Sequence, residues 1–376
     1  MGGKVFEHLG IPTPRIPPEV YQRMIAEYQP KLEKLFERVI VPRDAPNKID
    51  HGDIDFLVGG ILVQPREDDL WKLVEGALGA EYREKRGQSQ SYALPHPDIP
   101  DAYVQVDIEL SPGDGTFAAA DLFEWTKFMK GDADLLQIIG IAHRPLGLTC
   151  NDRGLHVRVE QIEPYDKKKA LLFLTKDPDQ AMDFYGFDVD KYNKGFESET
   201  ELFDWVAAGR FFSQEVFKAR VEKADDRSRQ AKRPMYRHFV EEYMSNTRYG
   251  SGNAWNREDV LREAIRTFDV QQEYNNMMAT HNAEEAEKEL WKEVKAAIPA
   301  KDKALASAVK ALKRWVKFSN CRPVIGDRPL PHTEYFKWSE HVDESNKNDV
   351  LAWVGRNWQD IKSHDRTYDK KHKSSS

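Results

Sequence analysis

Asp50-His51-Gly52-Asp53-Ile54-Asp55-Phe56-Leu57-Val58 is the stretch on which the fold turns. Acidic and apolar residues alternate along it. A β-strand has a period of two, so Asp53 and Asp55 project to one face while Ile54, Phe56 and Val58 share the other. Gly52 allows a tight entry turn. Two carboxylates side by side at a strand start repel each other unless a cation lies between them. A hard cation such as Mg²⁺ takes oxygen ligands, usually one or two carboxylates with substrate phosphates. Solvated hairpin ends also carry Asp-x-Asp pairs, so the stretch needs a second feature beside it.

Val104-Gln105-Val106-Asp107-Ile108-Glu109-Leu110 supplies one. Its apolar residues make a core face, and Gln105, Asp107 and Glu109 make the other. If the two strands are neighbours, Asp107 completes a three-carboxylate cluster with Asp53 and Asp55. Divalent ions held there would clamp the attacking and leaving oxygens of an in-line phosphoryl displacement.

The chain of 376 residues is 40% hydrophobic and 11% aromatic, enough for a sizeable core in two or three domains or subdomains. With a net charge of −7 it is not globally basic, so any nucleic-acid contact must come from a local patch. Cys150 and Cys321 are the two cysteines, which fits a reducing compartment and excludes a disulfide framework or a cysteine-based zinc site. No charged-then-apolar leader and no apolar run of about 18 residues occurs, so the expectation is an intracellular protein, cytoplasmic or nuclear, without a membrane span.

Residues 1–18, rich in Gly and Pro, read as an arm. Pro18-Glu19 opens a helix expected to run through about Phe36, with Val20, Met24, Tyr28, Leu32 and Phe36 on its apolar stripe. Arg38 to Val41 reads as a short strand, Asp68 to Leu78 as a helix, and about 81–95 and 102–111 as extended runs. That order predicts an α+β fold, a mixed sheet with helices on one side.

These pieces together resemble the palm of the DNA polymerase β-like, or family X, nucleotidyltransferases. Gly52-Asp53-Ile54-Asp55 is similar to that family's Gly-Asp-x-Asp strand, and Val106-Asp107-Ile108 to the strand carrying its third aspartate. Gly131 to Asp152 is similar to its nucleotide-selecting subdomain, and Glu199 to Trp205 to an acidic, aromatic helix near its C-terminus. The resemblance covers roughly residues 19–213, with a palm at 19–115 and the nucleotide-selecting subdomain at 116–213. It implies transfer of a nucleoside monophosphate from a nucleoside triphosphate to a hydroxyl by a two-metal mechanism. Asp53, Asp55 and Asp107 would be the catalytic residues and the ligands of Mg²⁺ or Mn²⁺.

The chain also departs from the family. Where the family has a Gly-Ser turn cradling the triphosphate, this chain has Pro42-Arg43, and Pro46 follows. Proline supplies no N–H, so Arg43 and Lys48 become the candidates to meet phosphate charge. Phe128 stands near the family's aromatic against the sugar. Ala133, Leu136 and Gly140 replace polar residues that touch base and minor groove, so template reading is not expected.

Beyond residue 213 the resemblance ends. Lys218 to Arg237 carries eight basic residues against three acids, the one run suited to nucleic-acid phosphates, although most such runs are solvated helix faces. Apolar stripes at Val260–Phe268, Leu290–Ile298, Leu305–Val316 and Val350–Ile361 predict a helical C-terminal region over 214–376. Its tryptophans, Trp315, Trp338, Trp353 and Trp358, read as core before they read as base-stacking groups. Asp365 to Ser376 is expected as a disordered tail. His51 and His281 read as surface histidines, since neither has paired ligand spacing. Two functions of different class follow: the nucleotidyltransferase, or a catalytically inactive scaffold or nucleic-acid-binding protein that keeps the fold.

Overall fold

A computed structural model describes residues 3–62, 67–87, 89–113, 122–220, 222–250, 255–330 and 336–373. Helix α1 (Pro18–Leu32) leads to strands β1 (Phe36–Ile40) and β2 (Ile54–Ile61), then helix α2 (Glu67–Leu78) and strands β3 (Tyr82–Arg86), β4 (Ser89–Pro95) and β5 (Tyr103–Leu110). The strands form one mixed sheet in the order β1-β2-β5-β4-β3. The β2–β5 pair is parallel, with Ile54 opposite Val106 and Asp55 opposite Asp107, and the other three pairs are antiparallel.

The alternation in the two quoted stretches explains this arrangement. Ile54, Phe56, Val58, Val104, Val106 and Ile108 pack with Val20, Met24 and Leu32 of α1 and Leu70, Val74 and Leu78 of α2 into one core. Each such side chain contributes about 1.5–3 kcal/mol on burial. With the apolar residues turned inward, the polar set of both strands is left on the other face. α1 ends at Leu32 rather than near Phe36. Phe36 fits a helical stripe by spacing, but it pairs with Ile61 across β1 and β2, and the sheet ladder outweighs the local period.

Helices α3 (Phe123–Lys130) and α4 (Leu135–His143) follow, then an antiparallel sheet of β6 (Leu148–Asn151), β7 (Gly154–Arg158) and β8 (Leu171–Thr175). Gly154 adopts φ +140° close beside the Thr175 carbonyl, where a Cβ would lie 2.4 Å from that oxygen. The expected helix starts at Asp177-Pro178 and Ser198 are present. Asp177 caps α5 (Pro178–Tyr185), which Gly186 ends in a left-handed turn, and α6 (Val189–Lys194) follows. Ser198 caps α7 (Glu199–Ala207), and Glu201 reaches back to the Glu197 N–H rather than to that of the cap itself.

Short helices α8 (Gln214–Lys218), α9 (Ala224–Lys232) and α10 (Pro234–His238) continue through a π turn into α11 (Met244–Asn246), and Asn256 caps α12 (Arg257–Phe268). The chain divides into two compact units between Gln271 and Gln272. Helices α8 to α12 therefore belong with the first unit, and the region expected to begin at residue 214 is split. The expected boundary at 115/116 lies outside the described residues.

The second unit comprises most of α13 (Gln271–Ala296), α14 (Asp302–Trp315), a hairpin of β9 (Val316–Ser319) and β10 (Arg322–Ile325), and α15 (Lys347–Lys373). Trp291, Trp315, Trp338 and Trp358 are buried in its core. The expected disordered tail is instead the last turns of α15, which runs to Lys373. Buried Asp365 accepts hydrogen bonds from Arg314 Nη1 (2.6 Å) and Trp315 Nε1 (2.8 Å). A polar composition concealed these buried contacts; residues 374–376 lie outside the described residues. Among the described residues no helix is long and apolar enough to cross a membrane.

Candidate active site

Asp55 and Asp107 are direct partners across the parallel pair of β2 and β5. Asp53 lies two residues before Asp55, and Gln105 two before Asp107, so all four side chains belong to one face. The Gln105 amide joins them. Its Nε2 donates to Asp107 Oδ1 (3.0 Å) and Oδ2 (3.1 Å) and reaches Asp53 Oδ2 at 3.5 Å. Asp53 Oδ2 also accepts from the Gly3 N–H at 3.2 Å. Across β4 the fully buried Ser91 stands opposite Asp107, and its hydroxyl favours the charged carboxylate.

Among the described residues no lysine or arginine pairs with any of the three aspartates. Lys130, the cation nearest Asp55 electrically, is paired with Glu109 at 2.8 Å. The crowding is visible in proton affinity. Asp55 is exposed to solvent along the cleft, yet partial desolvation by the surrounding protein raises its proton affinity, with the charges of Asp53 and Asp107 adding to the effect. Burial also raises Asp107. These are hard oxygen donors with unneutralised mutual repulsion, the chemistry that suits a divalent cation.

Asp53 and Asp55 line a cleft of about 980 Å³. The loop from Pro42 to Asp50 forms its near wall, Lys130, Ala133 and Asp134 its side, and Lys232, Arg233 and Met235 its far wall. Asp107 opens instead into an adjoining shallow hollow of about 470 Å³ with Arg86, Gly87 and Ser89. Among the described residues no three His, Cys, Asp or Glu side chains are gathered closely enough to hold an ion as they stand.

The loop from Pro42 to Asp50 is organised around a carboxylate. Asp44 Oδ1 accepts from the Ala45 N–H, and Oδ2 accepts from Lys48 Nζ (2.5 Å) and bonds His51 Nδ1 (2.9 Å). His51 is buried rather than at the surface, stacked on Tyr21 with centroids 3.7 Å apart. Its backbone pairs with Ile16, and this sheet-like tie draws it inward. Arg43 donates to Asp132 Oδ2 (2.8 Å) and the Tyr192 carbonyl (2.5 Å), and its own carbonyl accepts from the Asp132 N–H. Asn47 donates to the Glu197 carbonyl. Arg43 and Lys48 thus border the cleft, but both are engaged in pairs that hold the loop in place.

Phe128 lies away from the carboxylates. It is buried between Trp125 and Tyr192 and lines a second hollow beside the cleft. In the basic stretch, Arg229 and Arg144 share the buried Asp226, Arg233 pairs with Asp134, and Arg227 with Glu222. Lys218, Lys232 and Arg237 make no ion pair among the described residues, and of these Lys232 lines the cleft.

The chain matches no protein-family model and no curated protein. The site therefore rests on its own geometry. The sequence placed Gln105 on the face of Asp107 through their shared alternation but gave it no role, and it passed over Asp44 and Lys130. Asp44 and Lys130 carry no spacing signal, because their roles depend on how a loop and a helix end fold back onto the sheet.

Proposed function

We propose that the chain is a metal-dependent nucleotidyltransferase of the polymerase β-like kind. The observation that carries this reading is the parallel register of Asp55 with Asp107, with Asp53 beside them at a cleft large enough for a nucleotide and an acceptor. Asp53, Asp55 and Asp107 would hold Mg²⁺ or Mn²⁺. The bound cation supplies charge that offsets the triphosphate and acidifies the attacking hydroxyl. Asp107 would stand on the acceptor side, and Asp53 and Asp55 would face the triphosphate, from which pyrophosphate leaves as the hydroxyl oxygen bonds the α-phosphorus. Lys232, on the far wall, would meet phosphate charge that a Gly-Ser turn meets elsewhere. Arg43 and Lys48 contribute by shaping the near wall.

The scaffold reading has one observation in its favour. A carboxylate, Asp44, is the hub of the loop where a phosphate cradle would stand, and it occupies the Lys48 ammonium. The two readings separate in one experiment. Nucleoside triphosphates labelled at the α-phosphate are incubated with Mg²⁺ or Mn²⁺ and RNA, DNA or small-molecule hydroxyl acceptors. Metal-dependent label transfer that Asp55→Asn abolishes supports the enzyme. Absence of transfer to every acceptor class, with no nucleotide binding at millimolar concentration, supports the scaffold.

A further inference from the structure

The N-terminal arm reaches the carboxylates by two backbone N–H groups. Gly3 donates to Asp53 Oδ2 (3.2 Å), and Val5 donates to Gln105 Oε1 (3.0 Å). Gln105 is 1% exposed, and its Nε2 spends its two hydrogens among three carboxylate oxygens of Asp53 and Asp107. The approach of the arm is close. Gly3 adopts φ +83°, and a Cβ there would stand 2.3 Å from the Gly52 carbonyl oxygen. The Thr13 hydroxyl bonds the Gly3 carbonyl, and Phe6 and Ile11 are buried with Ala93, so the arm is anchored just downstream. The orientation of the amide is fixed by its partners: carboxylates require a donor on one side, and the Val5 N–H requires an acceptor on the other.

We propose that the Gln105 amide holds the place of a cation between Asp53 and Asp107, and that the first residues of the arm stay docked only while it does so. The inference rests on the metal-dependent reading above. A divalent ion takes carboxylate oxygens at about 2.0–2.6 Å, depending on the metal, and claims the lone pairs that Nε2 now uses. The amide N–H groups, with their positive ends on those oxygens, repel the ion. A primary amide is planar and rigid, so a turn that carries Nε2 off the carboxylates carries Oε1 off Val5. At the same time Asp53 Oδ2 is drawn from Gly3. Metal uptake and arm docking thus oppose each other through one side chain. Because the coupling is a free energy shared by two equilibria, it works in both directions: loosening the arm tightens metal binding.

The test uses the full chain and Mg²⁺ alone. Uptake is followed by calorimetry, and hydrogen exchange at the Val5 amide by ¹H–¹⁵N NMR, which reports local opening. In the parent chain, saturating Mg²⁺ is expected to speed Val5 exchange. Gly3→Ala cannot dock the arm, and its Mg²⁺ dissociation constant is expected to fall at least about fivefold. In Gln105→Leu, Val5 exchange is expected to be fast without Mg²⁺ and unchanged by it. Mg²⁺ uptake with Val5 protection unaltered overturns this inference and leaves the proposed function standing, as does Gly3→Ala with an undocked arm and the parent affinity. No Mg²⁺ uptake by the parent chain overturns both.

Discussion

Arg43 shows what a single residue does when its neighbours are known. Counted back from Asp53, it was a candidate to meet phosphate charge. In the folded chain its guanidinium joins the loop at 42–50 to Asp132 and the Tyr192 carbonyl. Asp132 is buried, and Arg43 is what offsets the cost of its burial. Arg43 is itself more than a third exposed, so Arg43→Ala is expected to destabilise the first unit by about 1–3 kcal/mol, the range for leaving a buried polar group without its partner. Urea denaturation measures this, and an unchanged midpoint would return Arg43 to the role of a free cation in the cleft.

His143 gives a second test at the same scale. It is fully buried, its Nδ1 bonds the Ile139 carbonyl, and burial pulls its proton affinity down to about 4. In the unfolded chain a histidine titrates near 6.5. Between those values the unfolded state binds more protons. Stability from this group is complete above about pH 6.5 and is lost as pH falls toward 4, by roughly 3 kcal/mol at most. His143→Phe is expected to flatten the pH dependence of the unfolding midpoint over that window. An undiminished slope would assign it to other groups.

Among the elements, those with a clean period were legible. The alternation at 53–58 and 104–110 marks both central strands, since each carries its apolar residues on the core side. Helix starts at Asp177, Ser198 and Asn256 were readable from capping chemistry alone. Elements decided by distant partners were not. The end of α1 is set by the pairing of Phe36 with Ile61. The strands β6 to β8 are short and join through turns without a glycine pair. The final turns of α15 look like polar tail until Arg314 and Trp315 are placed against them. Asp365→Ala leaves the buried Trp315 Nε1 without its partner and Arg314 with Asp369 alone, and is expected to destabilise the second unit by about 1–3 kcal/mol. Tryptophan fluorescence during denaturation follows it; a parent-like midpoint would show that these turns of α15 add nothing.

Over the whole molecule, the sheet does for the site what no single motif could. It brings residues 52 positions apart into register, so the carboxylate pair of one strand meets the third carboxylate of another. That much of the site was legible, because register follows once both apolar faces are buried. The parts that shape the cleft were not: the Asp44 hub, Lys130 and Lys232 reach it from a loop and two helix ends. Gln105 and the arm hold two of the three aspartates by hydrogen bonds.

Cation binding by these aspartates is what the proposed chemistry requires above all. Mn²⁺ titration followed by electron paramagnetic resonance measures this directly, in the parent chain and in Asp55→Asn and Asp107→Asn. The parent is expected to take up Mn²⁺, and each variant to bind more weakly by more than the roughly 10–100-fold that the loss of an outer-shell partner costs. No uptake by the parent at millimolar Mn²⁺, or equal affinity in all three proteins, would contradict the account.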